Sequence, residues 1–562
     1  MEQTLTVDCR TSNTQLVNKS VDLLARTLRE RSNVAVSRNG HGPAGLVLDV
    51  QPGPGTEGYR IESGPGGAMR ITGNDERGLL YGIGRFLRGS TFGENGFVPS
   101  TWRGSAAPEK QVRGMYFATH FHNFYHDAPV EEVERYVEEL ALWGHNALAV
   151  WFDMHHYTGI DDPEARAMIE RLHRILKAAN DVGMGAALVL LGNEAYCDSP
   201  RELRAVPNRG SHYHVELCPN IPGAMDLLLQ WRQEVFDAFS DLDIRHVIIW
   251  PYDQGGCLCE RCAPWGANGF LTVAREVAGL ARRTWPKTAP VLSTWWFDSR
   301  NGAPGEYEGV WKAFARKPDW IDALMVDAPG GFPRYPIEHG APDGMAMLNF
   351  PEISMHRMKP WGGFGANPLP NVYGERWHDS QHLLDGGFPY SEGIFEDINK
   401  AVLAQLYWQP DRPVMEIVAE YAAYEYGPGV AESVTDVVAR LERAQQHYVA
   451  DKDTLKNWAE STPDDTVLYE CPKIAEPGQP FERLQQAESK LTKQARQAWR
   501  WRILWLRAAL DSELHRSGGR ATPTSERCFE ELTDIYHAAR AIRTVAPPTR
   551  QALKRHLREG RW

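Results

Sequence analysis

From Gln111 the chain falls into a rhythm that few architectures can absorb: a short apolar strand, an amphipathic helix, then another strand. The strand segments are RGMYFATH, NALAVWFD, GAALVLLGNEAY, RHVIIWPYD, APVLSTWWFD, ALMVDAPG, AMLNFPEIS and GFPYSEG. Helical patterns such as VEEVERYVEELALWG, PEARAMIERLHRILKAANDVG, MDLLLQWRQEVFDAFSD and GFLTVAREVAGLARRTW separate them. Eight apolar strands alternating with helices predict a (β/α)8 TIM barrel over residues 109–410, within the α/β class. Residues 1–108 predict an N-terminal α/β accessory domain, with a helix in QLVNKSVDLLARTLRERS, a hairpin of YRIES with AMRIT, and a helix in NDERGLLYGIGRFLRGS. Past residue 410 strand signals vanish, and residues 411–562 predict an all-helical C-terminal domain with a loop over 460–480.

Composition narrows the function classes. With 73 acidic against 61 basic residues, the net charge of -12 argues against a nucleic-acid surface. No apolar run approaches the roughly 18 residues of a membrane span, and MEQTLTVDCRTSNTQ lacks the apolar core of a signal peptide. A cytoplasmic protein with no membrane partner is expected, with the helical domain as the place for a homodimer interface. The eight cysteines are too few and too uneven for a disulfide framework.

In a barrel of this kind the active site is built at the C-terminal strand ends. Those positions hold His120, Asp153, Glu194, Asp253, Asp298, Asp327, Glu352 and Glu392, interleaved with Trp151, Tyr196, Trp250, Trp295 and Trp296. Carboxylates serve as proton donor and as base or nucleophile, and aromatic faces stack on sugar rings, so this pattern points to glycoside hydrolysis. Asp253 with Glu352 is the expected acid/base pair, and Glu194 and Glu392 compete for those roles. His120, Asp153, His155, Tyr196, Trp250, Trp295, Trp296, Asp327 and Trp361 are expected to bind substrate. The plain alternative for Asp298 and Asp327 is capping of the helices that follow. Glu396 and Asp397 fall in a first helical turn, where acidic groups suit the dipole, and are expected to be structural.

The segment YRIESGPGGAMRITGNDERGLLYGIGRFLR is similar to the accessory domain that precedes the barrel in β-hexosaminidases and α-glucuronidases. LNFPEISMHRMKPWGGFGANPLPN and SEGIFEDI resemble segments of the same barrels, and D-x-x-x-C-x-C-x-x-C resembles certain endo-β-N-acetylglucosaminidase relatives. The resemblance implies a glycosidase, exo-acting on a uronic acid or N-acetylhexosamine of an oligosaccharide. The sequence departs from the hexosaminidase Asp-Glu pair, because Asp253 is followed by Gln254, so substrate assistance by an acetamido group is not supported residue for residue. Arg113, Arg334, Arg357 and Lys359 are candidates to pair with a uronate. Two other readings stand beside this one. His120 and His122 form the H-F-H of metal-dependent amidohydrolase barrels, although the fifth and sixth strands lack the histidines such a centre needs. A non-catalytic carbohydrate-binding barrel would use the same aromatics.

WPYDQGGCLCERC, residues 250–262, packs three cysteines just beyond Asp253. Cys257, Cys259 and Cys262 suit tetrahedral zinc if a fourth thiolate joins them, with Cys218 preferred over Cys197. A structural zinc that staples two loops is therefore expected, against reduced thiols or one disulfide, and no organic cofactor is expected.

Overall fold

The computed structural model describes residues 3–40, 45–94, 96–120, 122–207, 213–253, 255–299, 304–328, 331–353, 366–449 and 478–540. Trp361, Arg357, Lys359, Gln254 and the loop expected over 460–480 lie outside or almost wholly outside them.

The first sheet contains β1 (Thr4–Cys9), β2 (Ala35–Arg38), β3 (Leu46–Val50), β4 (Tyr59–Ser63) and β5 (Met69–Gly73). A small ribbon of β6 (Thr91–Gly93) and β7 (Gly96–Val98) follows, and β8 (Gly104–Ala106) rejoins the main sheet, whose order is β2-β1-β3-β5-β4-β8. The β4/β5 pair is the antiparallel hairpin that YRIES and AMRIT predict. Two capped helices pack on this sheet. Gln15–Ser32 starts where Thr14 accepts from the Val17 amide, and Glu76–Arg88 where Asp75 accepts from the Gly78 amide at 2.8 Å.

The barrel comprises β9 (Val112–Phe117), β10 (Ala147–Trp151), β11 (Gly185–Leu191), β12 (Ile244–Trp250), β13 (Ala289–Ser293), β14 (Ala323–Asp327), β15 (Ala346–Phe350) and an eighth strand in two pieces, β16 (Gly386–Gly387) and β17 (Tyr390–Ser391). All neighbours are parallel, and β9 pairs with β10 on one side and with β16 and β17 on the other, which closes the ring. Closure brings the backbones close at Gly386, where a Cβ would lie 1.7 Å from the Val112 carbonyl oxygen and φ is +135°. No other residue type meets both demands, so the eighth strand begins with glycine and is short.

Helices Val414–Tyr426, Ala431–Val449, Gln479–Glu488, Lys493–Gln497, Trp499–Ser517 and Pro523–Ile535 follow the barrel. They are locked to it by buried charge. Asp397, at the start of the last barrel helix, accepts from Arg500 Nε at 2.7 Å, from Tyr421 at 2.7 Å and from Tyr136 at 2.5 Å. Burial works against ionising Asp397, yet Arg500, Lys400 and the Tyr136 hydroxyl together outweigh it and hold the carboxyl below its ordinary range. Glu396 is likewise structural, bound to Ser391 and 3.3 Å from the Lys400 ammonium. No helix among the described residues is long and apolar enough to cross a membrane.

Candidate active site

The barrel mouth has an aromatic floor. Trp250, at the end of β12, meets Phe350 of β15 edge to face at 4.8 Å and Trp295 beyond β13 at 5.3 Å. Tyr116 of β9 stacks on Tyr390 of β17 at 5.4 Å and closes against Phe350 at 5.7 Å. All five rings are strand-end side chains turned to the barrel axis, where their mutual burial is favourable. Trp296 is half-buried beside Trp295, its backbone at φ +62°.

Carboxylates surround this floor. Tyr116 is held well above its ordinary pKa first by burial and then by Asp153, Asp253, Glu194 and Glu392, so four strand ends act on one ring. Burial, reinforced by Asp327, Glu392 and Asp253, pushes the Glu352 carboxyl well above the usual range. Burial also lifts Asp327 to about 7, against one stabilising hydrogen bond from the Trp296 amide at 3.2 Å; its Oδ1 has no hydrogen-bond partner among the described residues. Asp253 differs from these in being exposed, with a non-glycine φ of +102°. Such strained backbone clusters where a side chain must be aimed. The strand end beneath it is pinned: Tyr252 donates to the buried Glu306, and Trp265 Nε1 donates to the Pro251 carbonyl at 2.6 Å. Glu392 accepts from the Tyr390 hydroxyl at 3.0 Å, and that hydroxyl also lies 3.4 Å from His120 Nε2.

On the β10–β11 side, His155 Nδ1 lies 2.6 Å from Asp153 Oδ1 and 3.0 Å from Glu194 Oε1, while Trp151 Nε1 donates to Glu194 at 3.2 Å. Burial would lower the His155 pKa, but the bonds to Asp153 and Glu194 outweigh it and raise it to about 9. Asp153 falls to about 2 despite burial, because His155 and His156 hydrogen-bond to it. His155 is therefore a cation at neutral pH with its charge matched locally. Its Nε2, like Trp250 Nε1 and Trp295 Nε1, is buried without a hydrogen-bond partner among the described residues. Orphaned buried donors are rare in folded proteins, and three at one barrel mouth suit a ligand rich in hydroxyl groups.

Several sequence expectations resolve differently here. Asp298 caps: its carboxylate accepts from the Glu306 amide at 2.7 Å and the Tyr307 amide at 3.4 Å, the first turn of helix Glu306–Ala313. Asp327 makes no such bond among the described residues. Tyr196 is 1% exposed and meets Trp231 of helix Ala224–Ala238 edge to face at 5.3 Å, so its ring packs against a barrel helix instead of offering a sugar platform. Arg113 is fully buried, donating to Glu57 of the first domain and to the Gly144 carbonyl, and Arg334 is exposed with Glu338 as its partner. Neither reaches the mouth's carboxylates. His120 and His122 part company, the first beside Tyr390 and the second paired with Asp127 at 3.4 Å, so H-F-H does not build one metal centre. The sequence reading missed Tyr116, Phe350 and Tyr390, which look like ordinary strand residues. It also missed Asn193, whose side chain donates to Leu217 O and Gly256 O and accepts from Gly256 N, tying the loop after β11 to the loop after β12.

Cys218, Cys257, Cys259 and Cys262 come together with all four sulfurs within 4.8 Å of one another, while Cys197 is exposed and stands outside the group. A separate cleft of about 520 Å³ runs between the first domain, the barrel and the C-terminal helices. Its arginines Arg26, Arg31, Arg88, Arg135 and Arg500 are paired with Glu138, Glu425, Glu420, Glu30 and Asp397, which makes it a seam between domains and not a rival site.

No known family profile matches the chain, and no curated protein does. Solved structures do resemble it. A family GH115 4-O-methyl-α-glucuronidase with specificity for decorated arabinogalactans superposes with a TM-score of 0.63 at 12% identity, over 98% of this chain and 78% of that one. A GH20 β-N-acetylhexosaminidase from Streptomyces coelicolor A3(2) gives 0.52 at 16% identity, over 76% of this chain and 92% of its own. A GH89 protein from Clostridium perfringens, solved with GlcNAc-α-1,4-galactose, gives 0.60 at 11% identity, over 93% and 64%. At these identities the likeness establishes the shared architecture of an α/β domain, a (β/α)8 barrel and a helical region.

Proposed function

We propose that the protein is a glycoside hydrolase that cleaves a sugar from an oligosaccharide by carboxylate acid/base catalysis. The observation that carries this reading is the buried Glu352 at an aromatic floor, on which Asp327, Glu392 and Asp253 all act electrostatically. Glu352 is the proton donor, because burial and neighbouring negative charge both favour its protonated form, the state a general acid needs. Asp253, exposed and aimed by a strained strand end, is its partner as base or nucleophile. Asp153, His155 and Glu194 receive sugar hydroxyls, with Glu392 and His120 on the facing rim.

For the sugar, the mouth's charge among the described residues favours a neutral N-acetylhexosamine at the chain end over a uronate. A ring of carboxylates repels an anionic sugar; Arg376 opposes that charge at Glu352, and His155 is already matched by two carboxylates. The architecture itself does not discriminate, since solved structures named for N-acetylhexosamines and for an α-glucuronidase share it alike. The test is a panel of chromogenic α- and β-glycosides, including N-acetylhexosaminides and glucuronides, assayed with the wild type and Asp253→Asn. Turnover of an N-acetylhexosaminide that Asp253→Asn abolishes is the expected result. Preference for a glucuronide would overturn the sugar assignment, and sugar binding with no cleavage of any member would replace the enzyme with a carbohydrate-binding barrel.

A further inference from the structure

We infer that Cys218, Cys257, Cys259 and Cys262 form a tetrahedral thiolate site for a structural zinc ion that fixes the two loops bearing Glu194 and Asp253. The sulfurs have the spacing that such an ion imposes. With Zn–S bonds of about 2.3 Å, a tetrahedron places its sulfurs about 3.8 Å apart. Cys218 Sγ lies 3.8 Å from Cys259 Sγ and 3.8 Å from Cys262 Sγ, and no other pair among the four separates beyond 4.8 Å. None of the four is in a disulfide.

The backbone around the sulfurs is arranged for ligation. The Cys262 and Ala263 amides both donate to the Cys259 carbonyl, at 2.9 and 3.0 Å, which makes the tight turn that swings Cys262 back toward Cys257 and Cys259. Asn220 Nδ2 lies 3.1 Å from Cys262 Sγ, a donor of the kind that steadies a metal-bound thiolate from outside the ligand set. Cys257 and Cys262 are fully buried and Cys218 nearly so. Four thiols facing one another without an ion would make only weak S–H···S contacts, whereas four sulfur ligands saturate zinc and leave no position for water. The site therefore holds structure and performs no chemistry.

Its position explains what it holds. Cys218 belongs to the segment between β11 and helix Ala224–Ala238, and the other three belong to the segment after β12. Cys257 is four residues past Asp253, and Asn193, the other link between the two segments, precedes Glu194 directly. The Leu258 amide donates to the Val206 carbonyl at 3.0 Å, a third tie across the same gap. Removing the ion would release the loop end that fixes the strained Asp253 backbone, while the barrel core beneath stays packed.

The experiment is metal analysis by plasma mass spectrometry on full-length protein purified without added metal and freed of any polyhistidine tag, for the wild type, Cys259→Ser and Cys197→Ser. One zinc per chain in the wild type and Cys197→Ser, lost in Cys259→Ser, is the expected result. Should Cys259→Ser fail to fold, titration of the wild type with an organomercurial replaces it: one zinc should be released as four thiolates are consumed. Cobalt exchanged into the site should show the thiolate charge-transfer and tetrahedral ligand-field bands of a four-sulfur centre. A folded wild type without bound metal, zinc retained by Cys259→Ser, or a disulfide among these four cysteines found by peptide mapping would each overturn the assignment.

Discussion

Replacing Asp327 by asparagine should make the protein's stability less sensitive to pH, and the structure sets the size of the effect. Burial lifts this carboxyl from 3.8 to about 7, and among the described residues only the Trp296 amide supports its ionised form. Between those two pH values the folded state keeps a proton that the unfolded chain releases, so wild-type stability falls as pH rises from about 4 to about 7. Three pH units at about 1.4 kcal/mol each amount to about 4 kcal/mol at most. Asparagine has no proton to release, and its amide adds one more buried donor, at a pH-independent cost of about 1–3 kcal/mol. The variant's stability relative to wild type should therefore rise by about 4 kcal/mol between pH 4 and pH 7.5 and then level off. Urea unfolding followed by tryptophan fluorescence at pH 4, 5.5, 7.5 and 8.5 measures that difference. A difference that stays constant across this range would refute the reasoning, because Asp327 would then titrate in the folded protein as it does in the unfolded chain.

His155 carries the opposite sign. Its pKa is raised to about 9, so its stabilisation is fully present below about pH 6.5 and is lost as pH rises toward 9; His155→Gln should be destabilised by about 3 kcal/mol at pH 6 and by much less at pH 9.5, read from the same urea curves. Arg500→Met removes the cation that hydrogen-bonds Asp397 and leaves this carboxylate with two tyrosine hydroxyls and the charge of Lys400, which should cost about 3–5 kcal/mol in a urea titration and loosen the C-terminal helices from the barrel. Limited proteolysis should then cut at the start of those helices in the variant before the wild type.

The barrel was legible because its signal is long-range and redundant: seven strands and their helices repeat one pattern, so errors at single edges do not accumulate. The eighth strand was harder. Gly386 and Gly387 carry no apolar signal, and they are glycine because the closing strand passes too near Val112 and Asn349 for a Cβ. At the site, residue type was readable and direction was not. Trp250 and Tyr196 both follow apolar strands, yet one lies on the axis and the other against Trp231, since alternation of faces ends where the strand does. Asp298 and Asp327 were equivalent by type, and only the amides of helix Glu306–Ala313 separate them. Arg113 looked like a cation at a strand, but it sits at the start of β9, the end remote from the site, where Glu57 claims it. The four cysteines gathered because C-x-C-x-x-C is a local constraint; that Cys218 joins them depends on how two loops lie side by side.

The central claim is that Glu352 protonates the departing oxygen, and leaving-group dependence tests it most directly. General acid catalysis contributes about 10²–10⁴-fold when the leaving group needs a proton and little when it does not. With kcat/KM measured for the wild type and Glu352→Gln on an alkyl glycoside and on a dinitrophenyl glycoside of the same sugar, the variant should lose about 10²–10⁴-fold on the first and less than about tenfold on the second. Equal losses on both substrates, or no loss on the alkyl glycoside, would contradict the assignment of Glu352 as the acid.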